Sequence, residues 1–199
     1  INGINAGGNA GSTLLSSGDV SEILDNAREQ YPHDGTDTIR DQAIQTAIQF
    51  VGKIGYSQAH HSDPLRVGGY SDCSGFVSQV YRDVLRQVYN TDGFESLAKR
   101  YKAYRNFTDG NCKPGDILLH GMDTPQHNDN HALLYTGIVN GTVQSIDCST
   151  SGGVGSVFYR SRGAAYYNGC TYIDMTVFIN GYLADHPELK ENVYPDSNT

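Results

Sequence analysis

A single thiol stands where a nucleophile is most easily made. Cys73 lies in Tyr70-Ser71-Asp72-Cys73-Ser74-Gly75-Phe76-Val77, ahead of Phe76, Val77, Val80, Tyr81, Val84, Leu85 and Val88, which recur with helical spacing. That spacing predicts a buried central helix starting after Asp72. The first turn of a helix carries backbone N–H groups without helical acceptors and the positive end of the helix dipole, and both favour a thiolate. Taken alone, a cysteine at a helix start is more often a small apolar plug. A second constellation has ligand chemistry: His127-x-x-x-His131, with His120 and Cys112, offers zinc-binding types. That spacing works on one helical face, whereas Asn128-Asp129-Asn130 reads as a loop running into a strand. Adjacent His60 and His61 lie in a polar loop and are expected to face solvent.

The elements that position these groups follow from periodicity. Residues 1–18, with Gly3, Gly7, Gly8, Gly11 and Gly18 among Asn and Ser, read as a flexible linker. Residues 19–199 read as one domain. Asp19, with Glu22 three places on, predicts the cap of a short helix through Val20, Ile23, Leu24 and Ala27 that ends near Tyr31-Pro32. A second helix runs from about Thr38, with Ile44, Ala47, Ile48 and Val51 inward and Arg40, Asp41, Gln45 and Gln49 outward. Phe94, Leu97, Ala98 and Tyr101 suggest another. Strands are expected at 116–120, 131–138, 142–148, 155–160 and 171–179. Helices first and strands afterwards indicate an α+β domain.

Three blocks in order then carry a resemblance. Asp72-Cys73-Ser74-Gly75-Phe76-Val77, Lys113-Pro114-Gly115-Asp116-Ile117-Leu118-Leu119 and His131-Ala132-Leu133-Leu134-Tyr135-Thr136-Gly137 resemble the NlpC family of papain-like cell-wall cysteine peptidases over about residues 38–180. The resemblance implies a papain-like fold, with N-terminal helices and the nucleophile at the head of the central helix, packed on an antiparallel sheet. It implies Cys73 as nucleophile and His131 as base, then as acid to the leaving amine. Asp147 falls at the family's third position, which is commonly His. A carboxylate there can hold the imidazole and favour its charged form. The Cys73 backbone N–H and a donor near Tyr56 would meet the oxyanion.

Tyr56, Asp72 and Ser74 match positions that recognise the free amine of a wall stem peptide, so peptidoglycan stem peptides are the implied partner. The implied bond joins γ-D-glutamate to the diamino acid, diaminopimelate or lysine. The sequence departs from the family pattern at Ser57-Gln58-Ala59-His60-His61 and in the long loop to Gly69. Alternatives are a CHAP-type amidase cutting between sugar and peptide, the zinc-dependent hydrolase, and an inactive wall-binding module. No cofactor and no metal are expected on the cysteine reading.

Which face of the sheet Asp147 takes depends on the turn before it, because side chains alternate along a strand. A two-residue turn at Asn140-Gly141 pairs Val139 with Thr142 and points Asp147 away from His131. A three-residue loop, or a bulge of the same parity, puts Asp147 opposite Leu133, diagonal to His131, with Cβ atoms about 7–8 Å apart. The loop or bulge is therefore predicted, with an Asp147–His131 hydrogen bond.

Composition narrows the class. The chain has 199 residues, 14 Lys and Arg against 22 Asp and Glu, and a net charge of −8. That balance supplies no basic patch for nucleic acid or an anionic bilayer. Gly 23, Tyr 14 and Trp 0 give a loop-rich, Tyr-heavy chain suited to a secreted hydrolase. No apolar run reaches membrane-span length. The sequence opens at Ile1 without an apolar leader, so any export signal is expected to have been removed or never to have been part of this sequence. An extracellular or wall-associated monomer is expected. Cys112, Cys148 and Cys170 are expected to be reduced and buried.

Overall fold

A computed structural model describes residues 13–123, 130–150 and 155–194. Seven helices are present among them: α1 Ser17–Glu29, α2 Asp37–Gln49, α3 Cys73–Val80, α4 Thr91–Arg100, α5 Ala164–Asn168, α6 Met175–Asp185 and α7 Lys190–Val193. The strands are β1 Gly55–Tyr56, β2 Tyr70–Ser71, β3 Tyr104–Asn106, β4 Ile117–His120, β5 His131–Val139, β6 Thr142–Cys148, β7 Val157–Arg160 and β8 Cys170–Ile173. β1 and β2 form a parallel pair. The other six make one antiparallel sheet in the order β3-β8-β4-β5-β6-β7. The protein is α+β.

Strand alternation splits the core into two layers. Ile117, Leu119, Ala132, Leu134, Ile146 and Cys148 turn toward the helices, where they meet Ile44, Phe76, Val77 and Phe178. Leu118, Leu133 and Tyr135 turn the other way, against Tyr167 of α5 and Phe107. By the same alternation His131 leaves β5 on the α5 side.

Several local expectations are corrected. The proposed linker 1–18 runs too far, because α1 begins at Ser17; residues 1–12 lie outside the described ones. The cap of α1 is Ser16, whose side chain accepts from the Asp19 N–H while Asp19 accepts from the Ser16 N–H, so Asp19 is the third helical residue rather than the cap. The central helix stops at Val80 rather than reaching Val88. Tyr81 donates its phenol to the Gly115 carbonyl, and a short turn with Val84 N–H bonded to Tyr81 O keeps Val84 and Leu85 buried without helix. The expected strand 171–179 is β8 followed by α6, because the Asp174 side chain accepts from the Val177 N–H and caps a helix.

Arg40 does not face outward. It is 1% exposed and donates to Asp116 Oδ1 at 2.8 Å, to the Pro114 carbonyl, and to Thr36 and Thr176.

The β5–β6 hairpin turns on two residues, Asn140 and Gly141, both at positive φ, and Val139 pairs with Thr142. The three-residue loop is absent. A bulge at Thr136 shifts the register, so that Gly137 pairs with Gln144 but Tyr135 pairs with Ser145. Continuing that register puts Asp147 opposite Leu133, the parity that the bulge alternative required. Gln30, the C-cap of α1, holds the bulge: its Oε1 accepts from the Ile138 N–H at 2.9 Å and its Nε2 donates to the Ile138 carbonyl at 3.0 Å.

No helix among the described residues is long and apolar enough to cross a membrane.

Candidate active site

Cys73 is the first residue of α3 and is 7% exposed. Asp72 caps that helix by accepting the Gly75 N–H at 2.7 Å. Ser71 and Asp72 follow from β2, whose pairing with β1 sets Tyr56 opposite Ser71 and brings the Tyr56 ring near Cys73 and Asp72. Burial raises the Tyr56 phenol pKa, and the neighbouring Cys73 adds to the rise. The turn into α3 is tight around Gly75, where an added Cβ would lie 2.3 Å from the His61 carbonyl oxygen.

His131 begins β5, with Cys73 and Asp147 as its partners. Its Nε2 lies 2.9 Å from Asp147 Oδ2, and the Cys73 thiol is a close neighbour of the ring that raises its pKa. With Nε2 given to the carboxylate, Nδ1 is left for sulfur. Burial pulls the imidazole pKa down, but the Asp147 and Cys73 partners outweigh it and raise the pKa to about 9. Asp147 is 0% exposed. Burial opposes its charge, yet His131, Arg162 and Arg160 overcome that penalty and hold its pKa far below the usual carboxylate range. A histidine held in its charged form thus lies between the Cys73 thiol and a buried carboxylate, an arrangement competent for acyl transfer.

The other named residues have other partners. Both carboxylate oxygens of Asp72 lie 2.8 Å from His61 Nδ1, and Ser74 Oγ is 3.4 Å from Oδ1. Asp72 is thus helix cap and ion partner as well as a neighbour of the thiol. His61 is turned inward rather than into solvent, while His60 stacks on Tyr70 at 5.4 Å and pairs with Asp63. Of the zinc set, His127 lies outside the described residues and His120 stacks on Tyr166 at 4.0 Å. Among the described residues no group of three or more His, Cys, Asp and Glu side chains converges to hold a metal. The four cysteines are unpaired; Cys148 and Cys170 are buried and Cys112 is half-buried.

Arg160, Arg162 and Ser149 were not anticipated from the sequence. Arg160 donates from Nε and Nη2 to the two oxygens of Asp147 at 3.3 and 3.1 Å. Arg162 Nη2 donates to Asp147 Oδ2 at 2.6 Å and to Ser149 Oγ at 2.7 Å, and Ser149 in turn donates to Asp147. The signal was the spacing Phe158-x-Arg160-x-Arg162: Arg160 shares a face of β7 with Phe158, the residue opposite Asp147, and Arg162 follows in the loop just beyond the strand. Comparison with known proteins finds no matching family model, no significantly similar curated protein and no significantly similar solved structure.

Proposed function

We propose that this chain is a papain-like cysteine peptidase of the cell-wall type, cutting the γ-D-glutamyl bond to the diamino acid of a peptidoglycan stem. One observation carries the reading: the His131 ring is bonded to the buried Asp147 and has the Cys73 thiol as its other close neighbour. The Cys73 thiolate attacks the scissile carbonyl carbon. His131 gives its proton to the departing amine as the C–N bond breaks, leaving a thioester on Cys73. Water, deprotonated by His131, then attacks the thioester; the C–S bond breaks, the acid product leaves and the thiolate–imidazolium pair is regenerated. The Cys73 backbone N–H, in the first turn of α3, meets the oxyanion in this reading.

Asp72, Ser74 and Tyr56 beside the thiol support a site for a cationic amino terminus. Asp72 Oδ2 has His61 as its hydrogen-bond partner, whereas Oδ1 is shared by Gly75, His61 and Ser74. The substrate ammonium docks at Oδ2, beside His61 or in its place. This makes cleavage depend on a free stem amine, at a fixed distance from it. Such an enzyme works outside the cell, on the wall.

Defined stem peptides with a free L-alanine amine and the same stems still joined to the sugar, each with diaminopimelate or lysine, digested and weighed by mass spectrometry, test this. Release of the L-alanyl-γ-D-glutamate dipeptide from the free stem, lost in Cys73→Ala, is expected. Release of the whole stem from the sugar would replace the peptidase with the CHAP-type amidase, and full activity in Cys73→Ala would overturn both.

A further inference from the structure

The cluster behind His131 contains more positive charge than a triad needs. Asp147 receives Arg160, Arg162, Ser149 and His131, and Arg162 Nη2 also lies 3.4 Å from His131 Nε2. Arg162 is itself held in place. Its guanidinium lies over the Tyr166 ring at 4.9 Å, that ring stacks on His120, and the Arg162 N–H donates to the Tyr167 phenol at 3.1 Å. Arg160 packs over Phe158 at 4.1 Å. Both guanidinium groups are thus fixed before substrate arrives.

We propose that Arg162, supported by Arg160, is a positioning residue that acts through Asp147 to set how firmly the His131 imidazolium is held and at what pH the Cys73 thiolate forms. This rests on the cysteine-peptidase reading of the same site. With an imidazolium and a thiolate in place, the cluster holds three cations against two anions. The excess charge favours the thiolate, while sharing the carboxylate among four donors weakens its hold on the imidazolium. An imidazolium held by an undivided carboxylate would release its proton to a leaving amine less readily. The groups facing this pair are Cys73 and Asp72 from the head of α3, Tyr56 from β1, Asp147 and Ser149 from the β6 strand and its end, Arg160 from β7, Arg162 from the loop after it, Tyr166 from α5 and His120 from β4.

The test needs no substrate. The rate at which iodoacetamide alkylates Cys73, followed by peptide mass spectrometry so that the other thiols do not contribute, is measured against pH in the full chain. In Arg162→Gln the rising limb is expected to move up by about 0.5–1 pH unit, a roughly 3–10-fold slower reaction below the limb. Arg162→Lys restores the wild-type limb, because it keeps the charge. Arg160→Gln shifts the limb the same way by less, and gives the readout if Arg162→Gln does not fold. A folded Arg162→Gln chain with an unmoved limb overturns the proposal, since loss of packing alone would not move a titration. A wild-type limb unaffected by His131→Ala overturns the cysteine–histidine reading itself, and this proposal with it.

Discussion

Two side chains at the site carry their charges only because of their neighbours. The His131 pKa rises from 6.5 to about 9 through Asp147 and Cys73, against the pull of burial. A raised histidine pKa means that the protonated form binds more tightly in the folded chain. Its contribution to stability is complete below about pH 6.5 and is lost as pH rises through about 9. The stability difference between wild type and His131→Gln, measured by urea unfolding, should therefore shrink over that window. The kcat/KM profile on a stem peptide should be bell-shaped, with its descending limb near pH 9. Asp147 behaves oppositely: its contribution is present above the ordinary carboxylate range and disappears only in strong acid. Close approach matters as much as charge. A Cβ at Gly75 would overlap the His61 carbonyl, so Gly75→Ala should cost roughly 1–3 kcal/mol in urea unfolding. It should lower kcat as well, because the displaced turn carries His61, the partner of Asp72.

At the scale of elements, the alignment of Asp147 with His131 rests on one bulge and the amide that fastens it. Gln30 bonds both backbone groups of Ile138, and Gly137 takes φ 119, a conformation that side chains rarely adopt. Gln30→Ala removes three hydrogen bonds, two to Ile138 and one to the Asn26 carbonyl, and should cost about 1–2 kcal/mol. Its loss of kcat should exceed what the unfolded fraction accounts for, if the bulge relaxes and Asp147 turns from the ring. Full kcat in a destabilised Gln30→Ala chain would uncouple the bulge from the site. Only part of this was legible. Alternation marked β4, β5, β6 and β7, and the parity argument required a three-residue loop or a bulge, but nothing local says which, or where the extra residue goes. Gln30 fixes that place from 108 residues away. Apolar spacing overran the end of α3, because Val84 and Leu85 stay buried in a turn that repeats the helical period. The run from Thr171 to Ile179 fits a strand or a helix equally well, and only the Asp174 cap divides it. Arg160 and Arg162 escaped notice because exposed cations are the usual reading of an Arg-x-Arg spacing.

Across the whole molecule, one buried ion pair ties together segments that are far apart in sequence. Arg40 on α2 reaches Asp116 at the start of β4 and Thr176 on α6. Asp116 also accepts from the Lys113 N–H at 2.8 Å and the Met175 N–H at 2.9 Å. Both partners are almost without exposed surface, at 1% and 2%. Two buried charges give back in mutual attraction much of what they lose in hydration, so the pair is a weak source of net stability but a costly one to break. Arg40→Met leaves the Asp116 carboxylate buried without its cation, and should destabilise the chain by about 3–5 kcal/mol. Adding Asp116→Asn removes the stranded charge, while the side-chain carbonyl oxygen can still accept one of the two backbone N–H groups. The double variant should therefore be more stable than Arg40→Met alone, a reversal that chemical denaturation of the four chains in a mutant cycle would display. If the second substitution instead lowers stability further, Asp116 acts chiefly through its hydrogen bonds to Lys113 and Met175. The pair would then contribute little to joining α2, β4 and α6.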